Sequence, residues 1–237
     1  MTDRDDYYNR AKQEGYRARS AYKLKQLDEA AGLLSRGDTV VDLGAAPDRQ
    51  SIDPIETDAR VDTVRGDLTD EDTLAAIRGV VGERGADLVI SDMAPNVSGT
   101  YELDHARSVH LARRALAVAE DVLTAGGDLA VKVFQGPDID DFRDDVEDAF
   151  EYARTISPDA SRDSSSEVYV VGKGRLTAPV RVGDRLEVDV EDEGSEGDGV
   201  ATVEGFTLFV PDAEAGETVS VEVTDLKPRY GFAERID

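Results

Sequence analysis

Cysteine and tryptophan are absent from this 237-residue chain, and histidine and methionine occur twice each. Without cysteine there can be no disulfide, no thiolate nucleophile and no cysteine-based zinc site. His105 and His110 are too few for a histidine-rich metal site, so no metal is expected. No apolar run approaches the roughly 18 residues of a membrane span. The opening MTDRDDYYNRAKQEGYR is polar and charged and lacks the apolar core of a signal peptide. A soluble, cytoplasmic protein with no membrane partner is the expectation. Lysine is scarce as well: six (12, 23, 25, 132, 173 and 227) against 21 arginines.

Acid is what the chain has in excess. Asp and Glu number 52 against 27 Lys and Arg, for a net charge of −25. Taken at face value, this argues against a nucleic-acid partner, because phosphate contacts use Lys and Arg. Acid spread over a well-patterned chain that is 40% hydrophobic fits adaptation to concentrated salt better, since salt screens the self-repulsion. The length suits one or two domains of roughly 100–200 residues each.

Residues 4–25 stand apart. Arg4, Arg10, Lys12, Arg17, Arg19, Lys23 and Lys25 face only Asp5, Asp6 and Glu14, and Tyr7, Tyr8, Tyr16 and Tyr22 are interleaved among them. Basic residues mixed with aromatics suit a phosphate backbone and unstacked bases. The run YRARSAYKLKQLDEAAGLL also reads as a solvated helix with Ala18, Tyr22, Leu24 and Leu27 against a core, and both readings can hold together.

The middle of the chain alternates strand-like and helix-like runs. TVVDLG (39–44) reads as a buried strand ending in a turn, DTVRGDLT (62–69) as a second strand, ADLVISDMAP (86–95) as a third and GDLAVKVF (127–134) as a fourth. Helical patterns fall near 71–80, over 103–124 up to Gly126-Gly127, and over 138–150. YARTISP and SSEVYVVGK read as closing strands. Such alternation predicts an α/β fold, a mostly parallel sheet with helices on both faces. Ligands bind such sheets at the carboxyl ends of the strands, here at Asp42, Asp67, Asp92 and the segment after Lys132. Composition shifts near Lys173–Ala178. From Arg175 onward there are six basic and 16 acidic residues, and RLEVDVED, DGVATVEGFTLFVP and ETVSVEVTDL alternate at period two between glycine-rich turns. A small antiparallel β-barrel is predicted there, dividing the chain into residues 1–173 and 174–237.

Three features carry candidate chemistry. DLGAAP (42–47) is a strand-to-turn glycine element whose backbone can lie close to a nucleoside. SDMAPN (91–96) delivers an acid, Asp92, at a strand end ahead of a stiffening proline. Lys132 interrupts the apolar run LAVKVF, where an unpaired ammonium is expensive to bury. A gatekeeper lysine on an edge strand is the plain alternative. Unlike arginine, lysine can lose its proton when desolvated near other cations and then act as a base. Glu167, opening the strand EVYVV, could pair with it.

Taken together, RSAYKLKQLDE, DLGAAP, DRQ, RGDLTDE, SDMAPN, HARSVHLARRAL, LAVKVFQG and SRDSSSEVYVV resemble the FtsJ-type ribosomal RNA large-subunit methyltransferases over about residues 6–173. The resemblance implies a class I (Rossmann-like) methyltransferase that uses S-adenosyl-L-methionine to methylate a uridine ribose 2′-hydroxyl in 23S ribosomal RNA of the large subunit. It places the family's catalytic Lys-Asp-Lys-Glu set on Lys23, Asp92, Lys132 and Glu167. It gives cofactor contacts to Gly44, Ala45, Pro47, Asp48, Asp67 and Asp92. The segment from Gly183 to Val223 is similar to TRAM domains, small OB-like barrels that bind RNA, in the arrangement of halophilic archaea. The chain departs from the family at one place: where DLGAAP should continue into GGW, a helix and a second strand ending in an acid, Pro47 is followed at once by Asp48-Arg49-Gln50. The Pro47–Asp48 link is therefore expected to span more than the 3.80 Å of a trans peptide, as it would with a loop and helix in between. A true deletion would favour a non-catalytic RNA-binding protein with a relic sheet. A nicotinamide-dependent oxidoreductase is disfavoured, because the chain lacks GxGxxG and a hydride role for Lys132 and Glu167.

Overall fold

The computed structural model describes residues 13–14, 20–44, 60–161, 166–194 and 197–236. The basic run before Ser20, except Gln13 and Glu14, lies outside the described residues. So do Ala45, Pro47, Asp48 and the Pro47–Asp48 join.

Two motifs of apolar spacing build the first unit. The helix α1 (Ser20–Ala31) places Lys23 and Leu27 four residues apart, on one face. Leu27 is buried with Leu88, Ile90, Ala130, Tyr169 and Val171. These come from β2 (Ala86–Ser91), β3 (Leu123–Phe134) and β5 (Glu167–Arg175). The intervening residues Val89, Leu129, Val131, Val133, Val168 and Val170 point to the opposite face and a larger core. Successive strand residues alternate faces, so α1 covers one side. The helices α2 (Glu71–Val81), α3 (Tyr101–Val122) and α4 (Ile139–Glu147) supply Ile77, Ala112, Ala115, Ala119, Phe142 and Val146 to the other.

With β1 (Val40–Leu43) and β4 (Phe150–Ile156), the sheet order is β1-β2-β3-β5-β4. β1, β2 and β3 are parallel, and β5 inserts antiparallel between β3 and β4, so the sheet is mixed. Three local expectations need correcting. First, β1 is not buried: it is four residues long, Val40 is 40% exposed, and β2 is its one neighbour among the described residues. Second, residues 62–69 form no strand and are almost wholly exposed. They pair with no strand among the described residues, and an unpartnered strand is not stable in water. Third, α3 stops at Val122 and β3 starts at Leu123, so Gly126 and Gly127 lie inside the strand. There a register shift separates the Ala86–Leu123 and Leu88–Asp128 pairs, with Gly126 at φ +88°.

The second unit is a closed barrel of β6 (Arg185–Glu193), β7 (Gly199–Val203), β8 (Phe206–Val210), β9 (Thr218–Leu226) and β10 (Tyr230–Arg235), in the order β10-β8-β7-β6-β9. Its core is Val188, Val190, Ala201, Val210, Val219, Val221 and Ala233. The β7–β8 turn uses Glu204 (φ 48°) and Gly205 (φ 86°), the positive pair that lets a two-residue hairpin follow the strand twist. The barrel is not wholly antiparallel, because β10 runs parallel to β8. A Lys227–Glu151 ion pair of 2.9 Å ties it to the sheet.

Candidate active site

The face alternation that buries Leu88, Ile90 and Ala130 also decides where the charges go. Asp92 continues the Leu88–Ile90 series just beyond β2, Lys132 follows Ala130, and Glu167 precedes Tyr169 and Val171. All therefore lie on the α1 side of the sheet at the carboxyl ends of β2 and β3, and α1 brings Lys23 over them.

The structure brings these four residues together. Lys132 Nζ lies 2.9 Å from Asp92 Oδ1 and 3.7 Å from Glu167 Oε1, and donates to the Asp92 carbonyl at 2.6 Å. Lys23 Nζ donates to Glu167 Oε2 at 2.7 Å. Lys132 is 6% exposed and Lys23 9%. Burying one ion alone costs several kcal/mol; two cations facing two carboxylates with aligned hydrogen bonds offset that cost. Lys132 is thus no edge gatekeeper, since β3 is paired on both sides.

Sequence reasoning missed a fifth member. Tyr169 sits opposite Lys132 in the β3–β5 register and donates its hydroxyl to Asp92 Oδ1 at 2.6 Å. Burial, then the Asp92 charge, pushes the phenol far above its ordinary range. The signal was its spacing, two residues after Glu167 on one strand. A second group was also missed, at the start of α3. Asp104 accepts from the Ser98 amide and hydroxyl at 2.8 Å each and from the Gly99 amide at 3.0 Å. His105 Nε2 accepts from the Asp138 amide at 3.2 Å and so leaves Nδ1–H to donate to the Phe134 carbonyl at 2.9 Å. Ser108 Oγ accepts from the Phe134 amide at 2.8 Å. One buried helix end thus fixes both the loop after Asp92 and the loop after Lys132. Gly136 packs so closely on the His105 ring that a Cβ there would come within 2.5 Å.

At the end of β1, Gly44 has φ +89°, and a Cβ there would meet Met93 Cγ at 2.8 Å, so the β1 turn abuts the loop after β2. Asp42, at the end of β1, has its carboxyl pushed up by partial desolvation and then by the charge of Asp92. Two carboxylates that repel across this cleft favour a cation between them, which relieves the repulsion. Asp67 is not brought to the cluster. Its carboxylate accepts from the Thr69 amide and hydroxyl at 2.8 Å each, and these bonds hold it below the usual range. Among the described residues no group of three or more His, Asp or Glu is placed to hold a metal ion. No described helix is long and apolar enough to cross a membrane.

Known proteins match this arrangement over its whole length. The FtsJ-like methyltransferase family matches residues 16–49 and 48–175, and the TRAM domain family matches residues 179–236. The chain is 61% identical to the ribosomal RNA large subunit methyltransferase E of Halorubrum lacusprofundi, covering 100% of this chain and 95% of that one. It is 60% identical to the protein of the same name from Natronomonas pharaonis, covering 100% of both. The crystal structure of a ribosomal RNA methyltransferase from Plasmodium falciparum has the same fold over 68% of this chain and 98% of its own, at TM-score 0.58 and 22% identity. The two family segments meet at Asp48-Arg49, and the first alignment spans 257 positions for a 237-residue chain. The relative therefore carries a stretch that has no counterpart here. The family match over more than half of the chain and the relatives of full length make this chain a member of the FtsJ-like methyltransferases, with a TRAM domain after the methyltransferase fold.

Proposed function

We propose that this protein methylates ribosomal RNA of the large subunit, at the ribose 2′-hydroxyl of a uridine in 23S RNA, using S-adenosyl-L-methionine. The observation that carries the reading is the buried cluster Lys23–Glu167–Lys132–Asp92 at the carboxyl end of the sheet. The names of the relatives support the substrate class. A purely RNA-binding protein has no use for a lysine buried beneath two carboxylates, so the cluster favours the enzyme over the relic reading.

The cofactor, when bound, supplies an electrophilic methyl group on a sulfonium. A ribose hydroxyl is a weak nucleophile and needs a base as it attacks. Lys132 is that base: its amine accepts the hydroxyl proton, while Asp92 and Glu167 orient it and Lys23 holds Glu167 in place. Tyr169 fixes the Asp92 carboxylate through its hydroxyl. Most of the rate gain comes from holding the reacting groups in line. Gly44, Ala45 and Pro47 would present backbone to the cofactor, Asp48 its carboxylate to the ribose, Asp67 its own near the adenine, and Asp42 with Asp92 the negative charge facing the sulfonium. Residues 1–173 would then be the catalytic unit and 174–237 the RNA-binding unit, at work in the cytoplasm. The test is a map of ribose methylation in ribosomal RNA with and without this gene. Loss of one uridine 2′-O-methyl mark is expected, and an unchanged map would refute the proposal.

A further inference from the structure

Tyr101 is the most exposed aromatic residue among the described ones, at 59%, yet its side chain is held at both ends. It opens α3, so His105 lies one turn further along the same face. The two rings stack with centroids 6.4 Å apart and planes 12° from parallel. The Tyr101 hydroxyl donates to the Gln135 carbonyl at 2.7 Å, and the Gln135 amide donates to the Ser166 carbonyl at 2.7 Å. The His105 ring cannot yield: it is 2% exposed, bonded through both nitrogens to the backbone of Phe134 and Asp138, and packed against Gly136. A side chain in solvent is ordinarily free to change rotamer; this one is fixed by a hydrogen bond at its tip and a stack along its ring.

The place of the ring is the second observation. Gln135 lies three residues beyond Lys132, at most about 11 Å along the chain. The Tyr101–Gln135 bond therefore ties the end of the loop after Asp92 to the loop after Lys132, beside the charge cluster. Val97 in the first of these loops and Leu103 in the first turn of α3 are exposed as well. Charge is not what this rim offers RNA. The first turn of α3 holds Glu102 and Asp104 and no basic residue, and Asp104 is already engaged by Ser98 and Gly99. A flat, fixed and exposed ring suits the face of an unpaired base, whose stacking needs no countercharge.

We infer that Tyr101 stacks an unpaired base next to the target uridine and so sets the register of the RNA over Lys132. The inference rests on the RNA substrate proposed above and adds to it a substrate-positioning residue of the first unit. Hydroxyl and ring have separate duties. The hydroxyl clasps the two loops that follow Asp92 and Lys132, and the ring meets the base. His105 acts through Tyr101, by setting the plane of the ring. A base held there leaves the neighbouring ribose free to reach the Lys132 amine, which is the alignment that methyl transfer requires.

The chain has no tryptophan, so Tyr101→Trp in the full-length protein puts a single indole at the rim. Its emission is followed while a uridine-containing single-stranded RNA oligomer, labelled with fluorescein at one end, is added. Anisotropy of the label reports binding independently. The emission should be quenched in step with binding, and much less by the same oligomer annealed to its complement, whose bases are already stacked. Tyr101→Leu should weaken single-strand binding about 5- to 100-fold, the range for one lost base–aromatic stack. In methyl-transfer assays on ribosomal RNA from cells lacking this gene, that loss should fall on KM for RNA more than on kcat. Tyr101→Phe keeps the ring and loses only the clasp, so it should bind RNA more tightly than Tyr101→Leu. Binding seen by anisotropy with unchanged indole emission would overturn the inference and leave the substrate proposal standing. Equal losses in Tyr101→Phe and Tyr101→Leu would assign the effect to the clasp and overturn the stacking role. A wild-type chain that binds no RNA would overturn both.

Discussion

The two halves of the central sheet differ sharply. The half formed by β3 and β5 is long and hydrogen-bonded on both sides, and Lys132 sits near the carboxyl end of β3 with 6% exposure. The half ending in β1 is four residues long, and Val40 there is 40% exposed. The function proposed above gives proton chemistry to the first half and cofactor contacts to the second. The difference teaches that the charge cluster is held by the core itself and needs nothing from beyond β1. The β1 half, in contrast, borders the point at which this chain departs from its relatives.

The comparison can be broken most directly at Lys132. Lys132→Ala should lower methyl transfer by roughly 10²–10⁴-fold, the worth of a positioned base, with cofactor affinity nearly intact. Lys132→Arg should fail as badly, because guanidinium does not deprotonate usefully. Single-turnover assays and a cofactor titration read both, and near-wild-type turnover in the arginine variant would remove Lys132 from the mechanism. On the weaker half, grafting the stretch of the Natronomonas pharaonis relative between Pro47 and Asp48 should tighten S-adenosylmethionine binding at least about tenfold, or about 1.4 kcal/mol. Calorimetry measures this, and an unchanged affinity would mean that the cleft is complete as it stands. Tyr169→Phe keeps the buried ring but removes the hydroxyl from Asp92, a hydrogen bond to a charged group that contributes about 1.5–3 kcal/mol. Thermal unfolding should register the loss, and kcat should fall with little change in KM for RNA.

The smallest effect concerns Asp42. Its carboxyl is raised above the 3.8 of an unperturbed aspartate, so the folded state holds this proton more tightly than the unfolded chain does. The sign follows: stability from this group falls as pH rises from 3.8 through the raised value, and at neutral pH the ionised carboxylate is a standing cost. Asp42→Asn should therefore raise Tm at neutral pH and leave it nearly unchanged in acid. A variant that is less stable than wild type at both pH values would contradict that account.

Much of this was legible in the residues. Lys132 stood out because an ammonium inside LAVKVF needs partners, and strand–helix alternation gave the layered sheet. The barrel strands from Arg185 to Leu226 showed as period-two runs. What stayed hidden depends on neighbours rather than on local pattern. DTVRGDLT has strand-like residues, but whether it pairs is decided by the edge it meets. β1 reads as buried, but its exposure is set by what lies beside it. Gly126-Gly127 looks like a helix stop, yet the strand takes over at Leu123 and absorbs both glycines in a register shift. Tyr169, His105 and Ser108 were missed because their partners are distant in sequence, 77 residues for Tyr169 and Asp92. The β10 strand escaped notice because Tyr-Gly-Phe-Ala-Glu-Arg is short, and its parallel partner lies across a turn and another strand.

The Lys23–Glu167 pair has a consequence in time. Its two residues are 144 positions apart, so a chain emerging from the ribosome makes the first cation long before the carboxylate that receives it. β3, which carries Lys132, must likewise wait for β5 to cover its second edge. Contacts this distant are formed late because the intervening loop must close first. The charge cluster is then among the last parts of the first unit to assemble, and a nascent chain that stops short of β5 has α1 and β3 but lacks Glu167. The cluster is thereby tied to complete folding of the sheet, since no partial chain brings the four charges together.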